Sequence, residues 1–502
     1  MPANHRIGRV VVLPFISLTV LLTGVPGCSG SGGPEPPSRM LDAEAHSKTR
    51  IRAISGVWDA VDAGEIERPQ AREMLKRVIW SRSTYWSTRV AAINSLLKDT
   101  EGLDDTRTMF ALLVPTEKSV EVLERIGEVC VNRGWVNIAP SFVRAWDRNT
   151  QEVRIDDDRP EPATLTALFP DRSLPETLFE VFSGSYQEGA GVKFGEKDRR
   201  AAWGLLVRSA SDDDQITRLV DQVGSVDRRA DPLMWAVARS ADRFGAVPKT
   251  AEQVAWVRRL LTDPVNSEFV VAAERAVATL NAEQRAGWEL RHLAPVVWAS
   301  RFEPQLMNAT RAQLLNQLES ELEDRETFFR DRTDTAWLGG ESLGEWKDEI
   351  VWADAVALLL AARVVETAAW STESLHAELL EQADADHADT STEYGGVVHW
   401  TDSGMPAFDL FPPRVNSRFG DDRFVASEEL IEASDTALFH YHFHAMRTRN
   451  ADYAGPSFSD FEYAKREGRG CLLFTLVSAD RLNVDYFQPD GVRIDLGTIE
   501  RP

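Results

Sequence analysis

The chain has 502 residues, a formal net charge of -23 at pH 7, and 43% hydrophobic residues. Such an acidic surface repels phosphate backbones, so the sequence argues against nucleic-acid binding. The hydrophobic content and the 15 tryptophans exclude a disordered acidic chain, and the length allows several domains with cores of their own. The 3 cysteines lack the paired spacings of zinc fingers.

Residues 1–28 have the pattern of an export signal. Arginines near the start precede an apolar run over 10–25, which is shorter than the ~20 residues that a membrane-spanning helix needs. The run ends at Val25-Pro-Gly-Cys28, which resembles a bacterial lipobox and implies lipidation of Cys28. The Gly/Ser/Pro-rich stretch over 29–41 is typical of a tether. We therefore expect a lipid-anchored protein of the bacterial cell envelope; signal cleavage that leaves Cys28 free is the alternative.

The region from 42 to 370 is predicted to be helical almost throughout. Apolar stripes at helical spacing, as in Met74–Ile79, occur beside capping signals such as Thr250-Ala-Glu-Gln253. Many helices with short polar connections loosely resemble HEAT repeats. We therefore expect an irregular α-solenoid that offers a surface to a protein partner, with a break near 149–195, where aspartates, prolines and glycines accumulate.

From 372 to 502 the pattern changes to short strands with helices between them. A helix is predicted near 374–383, and another follows Ser457 and ends at Gly468. This mixture predicts a compact α+β domain after the mostly α region. The strands are predicted at 393–400, 406–411, 437–444, 471–477, 483–487 and 492–496.

The chemically richest segment is Ala437-Leu-Phe-His-Tyr-His-Phe-His444, which holds three of the 9 histidines. Histidine alternates with aromatic residues, so a strand here places the imidazoles on one face and the aromatic rings on the other. Neighbouring histidines on that face have Cα atoms about 6.6 Å apart, close enough to share a metal ion. His442 belongs to both neighbouring pairs, so it is the safest candidate ligand.

Two acidic residues accompany the histidines. Glu393 stands at the beginning of the first predicted strand, and Asp460 lies in the first turn of the helix for which Ser457 is the natural N-cap. A carboxylate at a helix start is held in place and can face back toward the strand. These residue types favour a metal site near the C-terminus.

In order along the chain, Glu393, the His-x-His pair of His442 and His444, and Ser457-x-x-Asp460 follow the JAMM motif. The last quarter of the chain thus resembles the prokaryotic JAB/MPN metalloproteases. The resemblance implies that His442, His444 and Asp460 bind Zn2+ and leave one position open for water. It also implies that Glu393 is the general base and that Ser457 stabilises the oxyanion. The implied activity is hydrolysis of a peptide or isopeptide bond in a protein or peptide of the cell envelope.

Two departures from the family pattern keep alternatives open. Ala445 stands where family members usually have proline, and the segment after His444 is longer than usual. One alternative is that His440 and His442 form the metal pair. Another is a non-catalytic JAB-like domain that serves as an envelope scaffold or binding protein on the helical region. The plainest alternative is an ordinary strand with a polar face, beside a serine and an aspartate that only cap a helix.

Overall fold

The computed structural model describes residues 35–150, 159–184, 195–210, 212–328, 342–370, 373–420, 424–447, 450–451 and 454–501. The chain divides into two compact units, Met1–Lys98 and Asp99–Pro502. The predicted export signal and Cys28 lie outside the described residues. No helix in the described ranges is long and apolar enough to cross a membrane.

The described part of the first unit is helical. The end of the predicted tether forms a 3-10 helix, Pro37–Leu41, in which Met40 is fully buried. The predicted apolar stripe between Met74 and Ile79 is confirmed, because its four apolar side chains are buried in α3. The helices are α1 Ser47–Ser55, α2 Val57–Asp62, α3 Arg68–Trp80 and α4 Trp86–Leu96.

The second unit contains most of the helices and all the strands that the described residues form. The prediction of a mostly helical chain with a C-terminal mixed sheet is confirmed. Its helices are α5 Leu103–Leu113, α6 Val120–Arg133, α7 Ala139–Thr150, α8 Pro160–Leu168, α9 Leu174–Ser183, α10 Glu196–Ser209, α11 Asp213–Val223, α12 Pro232–Phe244, α13 Ala251–Thr262, α14 Ser267–Thr279, α15 Leu293–Phe302, α16 Pro304–Asn308, α17 Arg311–Leu322, α18 Leu343–Trp346, α19 Trp352–Trp370, α20 Glu373–Ala388, α21 Glu428–Ala433 and α22 Phe458–Glu467.

The segment 149–195, where we expect a break in the helical region, contains α8 and α9 in its described part. These helices pack against α6, α7 and α10, so the described part of the segment belongs to the helical packing. Pro160 and Pro175 stand in the first turns of α8 and α9, where proline is tolerated because its missing N–H would have no partner in the helix. The boundary between the two compact units lies between Lys98 and Asp99. The expected break near 149–195 stays a prediction.

The described strands form one mixed sheet in the order β2-β1-β3-β4-β5-β6. Neighbouring strands are antiparallel except β3 and β4, which are parallel. A parallel pair needs a crossover connection, and here α22 supplies it. The strands are β1 Gly395–Trp400, β2 Pro406–Leu410, β3 Phe439–His444, β4 Cys471–Ser478, β5 Arg481–Phe487 and β6 Arg493–Glu500, close to the predicted ranges.

One face of the sheet packs against the helices. Helix α19 is apolar around most of its circumference, which is typical of a helix buried in a core. Its side chains share a single hydrophobic core with helices α12 to α17 and with the strand residues Phe439, Tyr441 and Phe443. This face of the sheet is therefore covered by helices, and the histidines lie on the other face.

Candidate metal centre

Strand β3 places its histidines together on one face of the sheet, as its alternation predicts. The ring centroids of His442 and His444 are 5.3 Å apart. His440 and His442 are each 1% exposed, and the side chain of His444 is 11% exposed. The aromatic residues between them lie in the apolar core on the opposite face. Three imidazoles are thus held in a buried position next to one another.

Helix α22 brings Asp460 to this face. The backbone N–H of Ser457 donates to Oδ2 of Asp460 at 2.6 Å, so the carboxylate is fixed by the start of the helix. Oδ1 lies 3.1 Å from Nε2 of His442, and Oδ2 lies 3.5 Å from Nε2 of His444. The predicted carboxylate at the helix start therefore does face the histidine strand. The hydroxyl of Ser457 lies 2.8 Å from that of Ser459.

Glu393 reaches the same point from the segment before β1. Its carboxylate oxygen Oε1 is 3.8 Å from Nε2 of His444, and the residue is 4% exposed. One ligand atom each from Glu393, His442 and His444 lie within 4.8 Å of one another. This buried triad could hold a metal ion, and Asp460 borders it on the side of α22.

A glycine allows the close approach of β1 to this site. Gly395 lies opposite His442 in the β1–β3 register. A Cβ atom at Gly395 would stand 2.4 Å from the carbonyl oxygen of Tyr441 and 2.4 Å from the ring of Phe424, which no side chain can accommodate. Any larger residue would push β1, and the glutamate two residues before it, away from the histidines.

The electrostatics favour the protonation states of metal ligands. Burial acts to raise the pKa of Asp460, but the imidazoles of His442 and His444 outweigh it and hold this pKa well below the usual range. Burial lowers the pKa of His442, and Asp460 opposes this only in part. A neutral imidazole beside an ionised carboxylate is the state in which both groups bind a metal.

Nε2 of His442 is the atom of this site at which we most expect a bound ligand. It is buried and, within the described part of the chain, forms no hydrogen bond of proper angle, although Oδ1 of Asp460 is 3.1 Å away. A buried polar atom without a hydrogen bond costs free energy, so such atoms in native proteins indicate a missing water or ion. Two imidazoles and a carboxylate are a donor set suited to zinc.

His440 has a different environment from the other two histidines. Its Nδ1 lies 2.7 Å from the hydroxyl of Tyr463, and it is not part of the triad of possible ligands. Burial and the charge of Arg469 lower its pKa well below the usual range. His442 and His444 thus belong to the same triad. His440, the alternative ligand, contacts Tyr463 instead.

Sequence reasoning missed several side chains around the histidines. The ring of Phe424 stacks on His442, with centroids 4.9 Å apart and planes at 14°. Thr475 on β4 lies beside His444 in register and is fully buried. The sequence around Phe424 has no periodic pattern, so it could not have indicated this residue. Tyr463 and Thr475 lie in predicted elements, but only the β3–β4 pairing and the angle of α22 direct them to this site.

The chain matches no protein-family model, no curated protein and no solved structure. The resemblance to JAB/MPN proteins therefore stays an expectation from the order of the motif residues.

Proposed function

We propose that the protein is an exported, lipid-anchored zinc hydrolase of the JAMM type, which cleaves a peptide or isopeptide bond in the bacterial cell envelope. The observation that carries the proposal is the buried convergence of Glu393, His442 and His444, whose ligand atoms lie within 4.8 Å of one another. Asp460 adds a second carboxylate 3.1 Å from His442. Two carboxylates allow one to hold the metal while the other serves as the base.

In this proposal His442, His444 and Asp460 hold the ion, which leaves the fourth position of a catalytic zinc site open. Zinc, when bound, would supply a Lewis acid that makes water nucleophilic at neutral pH. Glu393 would accept the proton of the attacking water and return it to the leaving amine. Ser457 would donate its hydroxyl to the oxyanion of the tetrahedral intermediate.

The surroundings of the ligands support these roles. The Ser457 amide fixes Asp460, so the carboxylate needs no rearrangement to bind the ion. Thr475 and Phe424 flank the histidines and keep bulk water from the ligand atoms. A water-poor site strengthens the attraction between a cation and its anionic ligand, because the local dielectric constant is low.

The sequence also supports the cell envelope as the location of the proposed reaction. A lipid on Cys28 would anchor the chain to the membrane, and the tether would hold the folded units away from it. Substrates would then be proteins or peptides of the cell envelope. The helical region would provide a surface for a protein partner or for the substrate.

The proposal is tested by replacing Glu393 with Gln in the full mature chain. We expect Glu393→Gln to retain zinc and to lose activity by about 10²- to 10⁴-fold, the usual contribution of a general base. Zinc content and hydrolysis of a panel of envelope-derived peptides and isopeptides would be measured together. The matched control, Glu432→Gln, changes an exposed glutamate on α21 and should leave both unchanged. Full activity in Glu393→Gln would contradict the mechanism.

A second function, a non-catalytic metal-binding scaffold of the envelope, has an observation of its own. The ring of Phe424 lies against His442, and the side chains of the four acidic and histidine residues are no more than 11% exposed. A substrate therefore needs Phe424 to move. If the Phe424→Ala variant binds zinc but shows no hydrolytic activity, a non-catalytic scaffold explains the site better than a hydrolase does.

A further inference from the structure

A charged cavity lies at the other end of helix α22 from Asp460. Its volume is about 120 Å³. It is bordered by helices α10 and α13, by the end of α21, and by the residues that follow α22. The side chains that matter for its chemistry are Arg200, Glu252, Trp256, Arg259, Glu467 and Arg469. None of them belongs to the metal centre.

Three of the residues that line this cavity each have one buried side-chain atom without a hydrogen-bond partner among the described residues. These atoms are Nε of Arg200, one terminal guanidinium nitrogen (Nη2) of Arg469, and Oε2 of Glu252. Arg469 is only 7% exposed. A buried polar atom without a hydrogen bond costs free energy, so a complementary ligand is expected to bind there.

The remaining charges of the cavity are already paired. Arg259 donates to both carboxylate oxygens of Asp435, with its shortest contact at 2.7 Å. Glu467 accepts a hydrogen bond from Arg466 at 3.1 Å. Since these pairs are satisfied, Arg200, Arg469 and Glu252 decide which ligand fits.

Arg469 is held in place, and among the described residues it forms no salt bridge. Its guanidinium lies 3.8 Å from the centroid of the Trp256 ring, which holds it in place as a cation–π pair. Burial lowers the pKa of Arg469 to about 10, and Asp435 and Glu467 only partly oppose this. Arg200, whose side chain is 18% exposed, has the carboxylate of Glu196 at 3.8 Å.

The carboxyl group of Glu252 does not neutralise the positive charges of Arg200 and Arg469. Burial, together with the carboxylates of Glu467 and Asp147, raises its pKa to about 7. Near neutral pH it is therefore protonated for much of the time and can itself donate a hydrogen bond. The cavity thus offers two cationic donors and one acid that can serve as a third donor, which complements an anion.

We propose that this cavity binds a small oxyanion, such as phosphate, sulfate or a free carboxylate, between Arg200 and Arg469. Guanidinium groups match oxyanions because their N–H groups form parallel hydrogen bonds. The cavity has room for such an ion, since 120 Å³ is the space of about four liquid waters. The bound ion would join α10 to the end of the helix that carries Asp460. The inference does not depend on the proposed hydrolase activity.

The test is isothermal titration of the full mature, zinc-loaded chain with sodium phosphate, sodium sulfate and sodium acetate, with sodium chloride at equal ionic strength as reference. We expect phosphate or sulfate to bind with one site per chain. Arg200→Gln should weaken binding by about 10-fold or more, because a charged hydrogen bond is lost. Arg200 is the variant of choice since its side chain is 18% exposed. Arg469→Gln removes a buried group and serves as a second variant if it folds.

The matched control is Arg239→Gln, an exposed arginine on α12 paired with Asp242, which should bind as the wild type does. Binding of acetate as well would support the site and assign it to carboxylates, whereas binding of phosphate and sulfate alone would assign it to tetrahedral ions. Absence of binding for all three salts would overturn the proposal. Unchanged binding in Arg200→Gln would overturn it too, because the ion would then bind elsewhere.

Discussion

The two faces of strand β3 differ in whether their buried polar atoms form hydrogen bonds. On one face, Tyr441 and Phe443 are fully buried among apolar side chains, and the Tyr441 hydroxyl donates to Gln382 at 2.7 Å. On the other face, His440 and His442 are equally buried, yet Nε2 of each is without a hydrogen bond to any described group. Adjacent residues of one strand thus share the same burial but differ in whether their polar atoms are satisfied.

The face with Tyr441 and Phe443 therefore stabilises the fold, whereas the face with His440 and His442 has donor atoms that a ligand could use. Apolar burial stabilises a protein by about 25 cal/mol per Å² of buried surface, whereas a buried polar atom without a partner costs free energy. The triad of Glu393, His442 and His444 on this face could hold a metal ion. In the proposed function that ion is zinc.

Phe443→Ala should have the largest effect on stability. Phe443 packs against the rings of Tyr441 and Phe474, with centroids 5.7 Å and 5.5 Å away. Removing the ring leaves a cavity, so the free energy of unfolding should fall by about 3–5 kcal/mol in urea denaturation. The exposed Phe419→Ala should change it by less than about 0.5 kcal/mol. A small loss in Phe443→Ala would mean that this face does not hold the sheet.

Zinc should stabilise the protein only through the histidine face. At a free zinc concentration of 100 times the dissociation constant, the free energy of unfolding should rise by about 2.7 kcal/mol. The rise should disappear in His444→Ala and persist in His399→Ala, which alters a histidine on β1 beside Asp409. An equal rise in both variants would place the zinc elsewhere.

Loss of one hydroxyl on either face should have a smaller effect. Tyr441→Phe removes the hydrogen bond to Gln382, and Tyr463→Phe removes the contact with Nδ1 of His440. Each should lower the free energy of unfolding by about 1 kcal/mol, because a buried acceptor or ring nitrogen loses its partner. Zinc affinity should stay the same in both. A large loss of zinc in Tyr463→Phe would make His440 a ligand after all.

A pH-dependent effect concerns Glu252, which lines the charged cavity beside α13. The pKa of Glu252 is raised from 4.5 to about 7 by burial and by Glu467 and Asp147. The folded chain therefore holds this proton more tightly than the unfolded chain, and the stability this gives is complete below about pH 4.5 and lost as pH rises through about 7. Glu252→Gln should lose less stability than the wild type between these values.

The measurement is urea denaturation of Glu252→Gln and the wild type across that pH range. Glu283→Gln, an exposed glutamate, is the control and should follow the wild type. Parallel pH profiles for Glu252→Gln and the wild type would show that the proton of Glu252 does not contribute.

The sequence predicted the local parts of the site well. Alternation in 437–444 predicted the histidine face, and the serine and glycine around α22 predicted where that helix begins and ends. These features depend on neighbours in sequence, so a single sequence contains them. The order of Glu393, the histidines and Asp460 predicted which residues converge.

The sequence could not predict what brings those parts together. Nothing local shows that α19 lies behind the sheet, because an apolar helix can be buried against many partners. The stacking of Phe424 on His442 and the approach permitted by Gly395 depend on pairings between distant segments. The solenoid, the JAB fold and the lipid on Cys28 stay predictions.

The most direct test of the central claim is the zinc content of the full mature protein beside His442→Ala and His440→Ala, measured by elemental analysis after zinc loading and gel filtration. We predict one zinc per chain in the wild type and in His440→Ala. His442→Ala should lose the ion, because it removes a ligand whose Nε2 lies 3.1 Å from Asp460. A wild type without zinc, or a His442→Ala variant that keeps it, would contradict the assignment of this face as a metal centre.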